Sequence, residues 1–267
     1  MNIILFADHE NNNGRLVLKG RRARHIIKVL RARVGDSLKT GLVNGPCFPA
    51  TIINIDPGQV TMALGGPEPP PAETAGCRDL ILALPRPIML KRILSQIATL
   101  GVERLFIIRS KRVEKSFFSA SLLCPEKIDQ RLRQGLEQGG HTRLPQVQIF
   151  KRFLPFAEDF LPTIIPDYQH HLLAHPHTSA GLAAAFAKKG HGNRSLLAIG
   201  PEGGWVDFEV DCLARHGFSP FQMGPRILRV DSAVPALLCQ LDLLHEMAGQ
   251  PSPLPLGGNG KGAGPAD

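Results

Sequence analysis

From Arg78 to about Met247 the sequence alternates short apolar runs with amphipathic stretches, and this alternation constrains the fold more than any other feature. A short aliphatic run reads as a buried strand. Apolar residues spaced by three and four read as a helix with one buried face. Leu80–Leu84, Arg104–Ile108, Val147–Phe150, His171–Ala174, Ser195–Ile199 and Phe221–Met223 read as strands. Met89–Leu100, Pro125–Gln138, Ser179–Lys188, Asp207–His216 and Asp231–Met247 read as helices. In the first helix Leu90, Ile93, Leu94, Ile97 and Leu100 share a face, and Gly101 follows where a left-handed cap is common. Strands that alternate with helices pair in parallel, because a parallel crossover needs about a helix of chain to return. The expected fold class is α/β, with a mostly parallel sheet and helices on both faces.

Residues 1–66 follow a different pattern. Strand-like runs at Asn2–Phe6, Arg15–Leu18, Ser37–Leu42, Cys47–Ile55 and Gln59–Leu64 are separated by turn signals at Asn11–Gly14, Val43–Pro46 and Asp56–Gly58. One helical stretch, Arg22 to about Ala32, carries Ile26, Ile27 and Leu30 on its apolar side. Gly65 to Glu73 includes a glycine pair and three consecutive prolines, poor material for a helix or a central strand. The expected organisation is a small β-rich domain at 1–66, a linker at 67–77, an α/β domain at 78–248 and a disordered tail at 249–267. The tail holds Gly258-Asn259-Gly260-Lys261-Gly262, which lacks the spacing of a phosphate loop.

Composition excludes several classes. The longest apolar runs fall well short of the roughly 20 residues of a membrane helix. The N-terminus MNIILFADHE lacks the layout of a signal peptide, so a cytoplasmic location is expected. Cys47, Cys77, Cys124, Cys212 and Cys239 are scattered and form no CxxC pair, which argues against a zinc site or a disulfide framework. No metal is expected. The formal net charge of +8 favours a polyanionic partner. The basic residues concentrate from Arg15 to Arg33, including Arg21, Arg22, Arg24, Lys28 and Arg31, and no acid occurs between Glu10 and Asp36. A charge run is often only a solvated helix face, but without balancing acids RNA phosphate contact is the favoured reading. A second basic set comprises Arg109, Lys111, Arg112, Lys115 and Arg143.

Two loops carry the chemical signal. An apolar strand runs into Gly200-Pro201-Glu202-Gly203-Gly204, then into a helix with Asp207 and Glu209 in its first turn. About 20 residues later comes Met223-Gly224-Pro225-Arg226-Ile227-Leu228-Arg229-Val230-Asp231-Ser232, ahead of the last helix. Glycines let a ligand approach the main chain, and ligands of α/β sheets bind beyond the C-terminal ends of strands. Each loop alone also reads as an ordinary tight turn or a helix cap, with Asp231 or Ser232 suited to cap the last helix.

The two loops in this order resemble those of the ribosomal RNA uridine-N3 methyltransferases of the SPOUT superfamily. The resemblance extends to Leu84-Pro85-Arg86 with Leu100-Gly101-Val102, to Arg109–Val113, to Glu137-Gln138 with Thr142–Pro145, and to His25–Arg31 with Val34-Gly35-Asp36. It covers roughly residues 1–248. It departs at Gln96 and Thr99, where the family carries lysine and glutamate. It departs again at Val230-Asp231-Ser232, where the family carries threonine-glutamate-threonine.

The resemblance implies a C-terminal domain whose chain end is threaded into a trefoil knot, a PUA-like RNA-binding β-barrel ahead of it, and a homodimer. It implies S-adenosylmethionine as cofactor, held by Gly200, Pro201, Glu202 and Gly203 and by Met223, Gly224, Ile227 and Leu228, with Leu173 and Ala174 on the adenosine side. It implies methylation of N3 of a specific uridine in 16S ribosomal RNA within the small ribosomal subunit. Arg226 and Arg229 then stabilise charge on the uracil ring, and Asp231 or a water accepts the proton. Arg21, Arg22, Arg24, Lys28, Arg31 and Arg112 are the expected RNA contacts. The competing readings are an RNA-binding ribosome assembly factor without catalysis and a nucleotide-dependent enzyme with a doubly wound fold. The absence of GxGxxG counts against the second.

Overall fold

The computed structural model describes residues 2–70, 77–188 and 192–249. Most of the expected linker and, apart from Gly249, the expected tail lie outside the described residues. Residues 2–70 contribute β1 (Ile4–Phe6), β2 (Asn11–Asn12), β3 (Arg15–Lys19), β4 (Ser37–Leu42), β5 (Cys47–Asp56) and β6 (Gln59–Leu64). They form one mixed sheet in the order β1-β4-β5-β6-β3-β2, with β1 parallel to β4 and the other pairings antiparallel. Burial alternates along β3, so Leu16 and Leu18 face a core shared with Ala50, Ile52, Val60 and Met62. The pairing of β5 with β6 shifts register between Ile52 and Asn54, a bulge that bends the strand and increases its twist.

The helix expected at Arg22–Ala32 differs from its reading. The chain forms α1 (Gly20–His25) and then a π-helical turn over Ile26–Leu30 that ends at Arg31 with φ 53°. A helix bonded i to i+5 turns less per residue than one bonded i to i+4. Ile26 is therefore buried while Leu30, expected on the same face, stands 42% exposed.

The second sheet contains β7 (Cys77–Ala83), β8 (Arg104–Ile108), β9 (Gln146–Phe150), β10 (His170–Ala174), β11 (Arg194–Ile199) and β12 (Ser219–Phe221). Its order is β12-β10-β11-β7-β8-β9 and every pairing is parallel. Leu80 to Leu84 are all buried, consistent with a central strand covered on both faces. The last strand lies two residues earlier than Phe221–Met223, because Leu172 to Ala174 of β10 pair with Ser219 to Phe221 and leave Gln222 and Met223 in the loop.

The helices are α2 (Pro87–Thr99), α3 (Pro125–Gly139), α4 (Leu161–Ile164), α5 (Leu182–Ala187), α6 (Asp207–Arg215) and α7 (Val230–Gly249). α2 packs on α3 and on α7. The α2–α3 contact is close at Gly135, where an added Cβ would lie 2.1 Å from the Ser95 carbonyl oxygen. α5 begins at Leu182, three residues after its expected start, because Gly181 bridges in parallel to Gln222. Residues 155–167 form a π turn, α4 and a 3₁₀ turn that bury Phe156, Ala157 and Leu161. No element was expected there. Pro155, Pro162 and Pro166 break the chain into pieces too short to show a 3.6-residue period.

The two sheets are joined by direct contacts. The backbone amides of Asn2 and Ile3 donate to the Glu137 carbonyl, Thr142 Oγ1 donates to the Gly45 carbonyl at 2.8 Å, and Ile3, Leu5 and Cys47 enter the larger core. Asp79, fully buried at the start of β7, accepts from the Arg104 amide at 2.7 Å, from Arg104 Nε at 2.6 Å and from the Tyr168 hydroxyl. These bonds fix the ends of β7 and β8 away from the loops that follow the strands.

Candidate active site

β10, β11 and β12 end at one edge of the second sheet. The loops leaving them enclose a cavity of about 400 Å³, within the size range of small-molecule sites. Ala174, His175, Pro176 and His177 line it after β10. Ile199 and Gly200 through Trp205 line it after β11, and Phe221 through Leu228 after β12, with Val230 and Arg112 completing the wall. Of the expected cofactor residues, Ala174, Gly200, Pro201, Glu202, Gly203, Met223, Gly224, Ile227 and Leu228 all line this cavity. Leu173 does not. It is fully buried in the large core, because its neighbour Ala174 takes the position at the strand end.

The loop after β11 is shaped by Trp205. Its indole is buried and donates from Nε1 to the Ala174 carbonyl at 3.2 Å, which ties the ends of β10 and β11 together. A Cβ on Gly200 would lie 3.1 to 3.2 Å from that indole, a tight contact that favours a residue without a side chain there. Gly204 closes the turn by donating to the Pro201 carbonyl at 2.8 Å with φ +73°, a conformation glycine adopts without strain.

A buried carboxylate then fixes the loop to β8. Glu209, 2% exposed in the first turn of α6, accepts from Ser110 Oγ at 2.9 Å, the Lys111 amide at 2.7 Å and the Val206 amide at 3.1 Å. This places Arg112 so that its Nη1 donates to the Gly203 carbonyl. Arg112 was expected to contact RNA from its place in a basic cluster, and it lies on the cavity wall. Glu202 is exposed and accepts from the Arg86 amide at 3.0 Å.

The loop after β12 carries the expected catalytic residues. Arg226 lines the cavity and is exposed. Arg229 and Asp231 are adjacent to it without lining it. Arg229 Nη2 lies 3.1 Å from Met89 Sδ, and Arg229 Nε lies 3.5 Å from Asp231 Oδ1. Asp231 is 9% exposed and its other oxygen accepts from Arg92 Nη1 at 3.2 Å. α7 begins at Val230, so Asp231 sits inside its first turn and does not cap it. Arg229 supplies the carbonyl that accepts the amides of Ser232 and Ala233.

The cavity has the walls of a site for an organic ligand with polar groups. Ile199, Phe221, Met223 and Val230 are apolar. His175 Nδ1, on a cavity-lining residue, is a buried nitrogen without a hydrogen-bond partner. Buried polar atoms are rarely left unpaired, so an orphan on such a residue fits a ligand that supplies the partner. Burial, with His177 beside it, holds the His175 imidazole below its ordinary pKa. His175, His177, Trp205 and Gln222 were not expected here. His175 follows the strand reading His171–Ala174 directly, and that position was its one sequence signal. Among the described residues no group of three His, Cys, Asp or Glu side chains is placed to hold a metal.

The expected RNA contacts divide by their surroundings. Arg24, Lys28 and Arg31 are exposed. Arg21 pairs with the buried Glu137 of α3, and Arg22 pairs with Glu10 and donates to the Leu5 carbonyl at 2.7 Å. These last two arginines hold α1 to α3 and to the chain after β1.

Comparison with known proteins gives a consistent picture. Residues 77–242 match the RNA methyltransferase domain family. The chain is 31% identical over 241 residues to the ribosomal RNA small subunit methyltransferase E of Treponema pallidum, covering 87% of each. It is 23% identical over 238 residues to ribosomal RNA small subunit methyltransferase E 1 of Borreliella burgdorferi, covering 87% of this chain and 94% of that protein. Among solved structures, a Legionella pneumophila methyltransferase in complex with S-adenosylmethionine aligns with a TM-score of 0.74 at 22% identity, over 91% of this chain and 97% of that one. The Neisseria gonorrhoeae ribosomal RNA small subunit methyltransferase E bound to S-adenosylmethionine aligns with a TM-score of 0.72 at 19% identity, over 91% and 98%.

Proposed function

The chain belongs to the RNA methyltransferase family, and from that premise we propose that it methylates N3 of one uridine in the 16S ribosomal RNA of the small subunit, with S-adenosylmethionine as methyl donor. The observation that carries this reading is the cavity at the ends of β10, β11 and β12, lined by both glycine-rich loops. Its relatives are named for the small-subunit reaction, and two structural neighbours hold S-adenosylmethionine.

S-adenosylmethionine, when bound, supplies an electrophilic methyl group on sulfonium. The residues of this chain do the rest. The turn Gly200–Gly204 brings main chain against the ligand, and Trp205 holds that turn to the end of β10. Ile199, Phe221, Met223 and Leu228 exclude water from its apolar part. Arg226 and Arg229 would stabilise the charge that develops on the uracil oxygens as the N3 proton passes to Asp231 or a water, and preorganised cations there lower the barrier.

The chain path supports a knot. β12 is an edge strand, yet the helix that follows it packs on α2, which joins β7 to β8 beyond β10 and β11. Residues 222–229 must cross that distance past the loops leaving β10 and β11, and we read this passage as the threading of a trefoil knot. The sheet of residues 2–70 is read as a PUA-like barrel forming a unit of its own, followed by a linker and the methyltransferase unit from residue 78. Its exposed Arg24, Lys28 and Arg31 provide the RNA-docking face. A homodimer is supported by Ile88, Ile227, Leu243 and Met247, apolar side chains of α2, α7 and the loop between β12 and α7 that are more than half exposed. No helix among the described residues is long and apolar enough to cross a membrane. The protein is proposed to act in the cytoplasm.

The test is to incubate purified protein with methyl-labelled S-adenosylmethionine and small subunits lacking the modification, then digest the RNA to nucleosides. Label in 3-methyluridine from a single position is expected. Label on a ribose, on another base or on transfer RNA alone would refute the assignment.

A further inference from the structure

One ridge of α2 reaches both loops of the cavity. Arg86, Met89 and Arg92 are spaced by three residues and so lie along one side of the helix start. The Arg86 amide donates to Glu202 Oε1 in the loop after β11. Met89 Sδ receives Arg229, and Arg92 Nη1 donates to Asp231 Oδ2 beyond the loop after β12. Asp231 is the hinge of this arrangement. It is buried, with one oxygen on Arg92 at 3.2 Å and the other 3.5 Å from Arg229. Arg229 is 65% exposed and on its own would sample many rotamers, yet its backbone is fixed by two amide bonds and its guanidinium by Met89 and Asp231.

We propose that Arg92 and Asp231 are positioning residues that hold the Arg229 guanidinium beside the cavity, and that Asp231 is not the proton acceptor. This rests on the methyltransferase reading above. The carboxylate is 9% exposed and both its oxygens face guanidinium groups, whereas a proton acceptor must come within hydrogen-bond reach of uracil N3 and the far more exposed Arg229 is free to approach the base. A guanidinium released from its partners would spend much of its time away from the oxygen it stabilises, and misplacement of about 1 Å can cost on the order of a hundredfold in rate.

The experiment uses the full chain with small subunits lacking the modification, measuring single-turnover rate across pH and S-adenosylmethionine affinity by calorimetry. Arg92→Gln removes a charge from a side chain that is 61% exposed, and circular dichroism checks that the variant is folded. It is expected to lower the rate at least tenfold with cofactor affinity unchanged within twofold, and Arg92→Lys is expected to recover most of the loss. Asp231→Asn is expected to be slow with an unaltered pH profile, and adding Arg92→Gln to it should cost little more. Full activity in Arg92→Gln overturns the proposal, as does loss of the acid-limb ionisation in Asp231→Asn. A wild-type protein that labels no RNA refutes the methyltransferase reading instead.

Discussion

Two buried histidines at the far end of the second sheet contribute to how the protein responds to acid. His245 of α7 is 6% exposed and its Nε2 lies 2.8 Å from Ser195 Oγ at the start of β11. His170 at the start of β10 is fully buried and stacks on Phe186, and its ring is 5.8 Å from that of His245. Arg78 of β7, paired with Asp242, is also close. Burial first, then His170 and Arg78, push the His245 pKa from 6.5 to about 4, and burial lowers that of His170 as well. A histidine depressed in the folded state is neutral there while the unfolded chain still takes up a proton. Its contribution to stability is therefore complete above pH 6.5 and is lost as the pH falls toward 4. The shift of His245 alone corresponds to about 3 kcal/mol across that window. Urea unfolding followed by tryptophan fluorescence and circular dichroism at intervals from pH 7.5 to 4 measures this. The wild type should lose stability steadily below pH 6.5. His245→Leu, less stable at pH 7.5 because Ser195 loses its partner, should lose about 3 kcal/mol less over the same range. Parallel curves for the two proteins would show that His245 is not held neutral by its surroundings.

Three further outcomes follow from the packing. Gly135→Ala sets a methyl 2.1 Å from the Ser95 carbonyl oxygen and 2.9 Å from Ala98 Cβ. Forcing α2 and α3 apart should cost about 2 kcal/mol or more in unfolding free energy, and an unchanged melting temperature would mean the helices separate freely. Glu209→Gln leaves three donors facing an amide that accepts at only one oxygen. It should lower stability by about 2 kcal/mol and weaken cofactor binding by loosening Arg112, both visible in thermal shifts with and without S-adenosylmethionine. Gly200→Ala displaces the Trp205 indole, so calorimetry should find S-adenosylmethionine affinity reduced about tenfold, with little change if the ring moves aside without strain.

Some of this was legible in the sequence because it depends on local rules. The strands at Arg104–Ile108 and Ser37–Leu42 fall where apolar patterning put them, and the helix expected at Met89–Leu100 runs from Pro87 to Thr99. Glycine-rich turns after apolar strands marked both cavity loops, since close approach to main chain requires residues without side chains. Two segments were missed or misread because no single period survives in them. The π turn at Ile26–Leu30 rotated Leu30 outward, and three prolines hid the turns of residues 155–167.

The site depended more on the tertiary fold. Sequence spacing put Arg21, Arg22 and Arg112 in basic clusters, but only the fold brought Glu137, Glu10 and the Gly203 carbonyl to them. Asp231 looked like a helix cap or a proton acceptor until α2 supplied Arg92, 139 positions away in the chain. His175 had only its place after a strand to mark it, and its unpaired nitrogen becomes visible only when three strand ends converge. Backbone shape is written in short segments, because sterics and hydrogen bonding act over a few residues. The partner of a charge is chosen by packing between distant segments, and only the folded chain decides it.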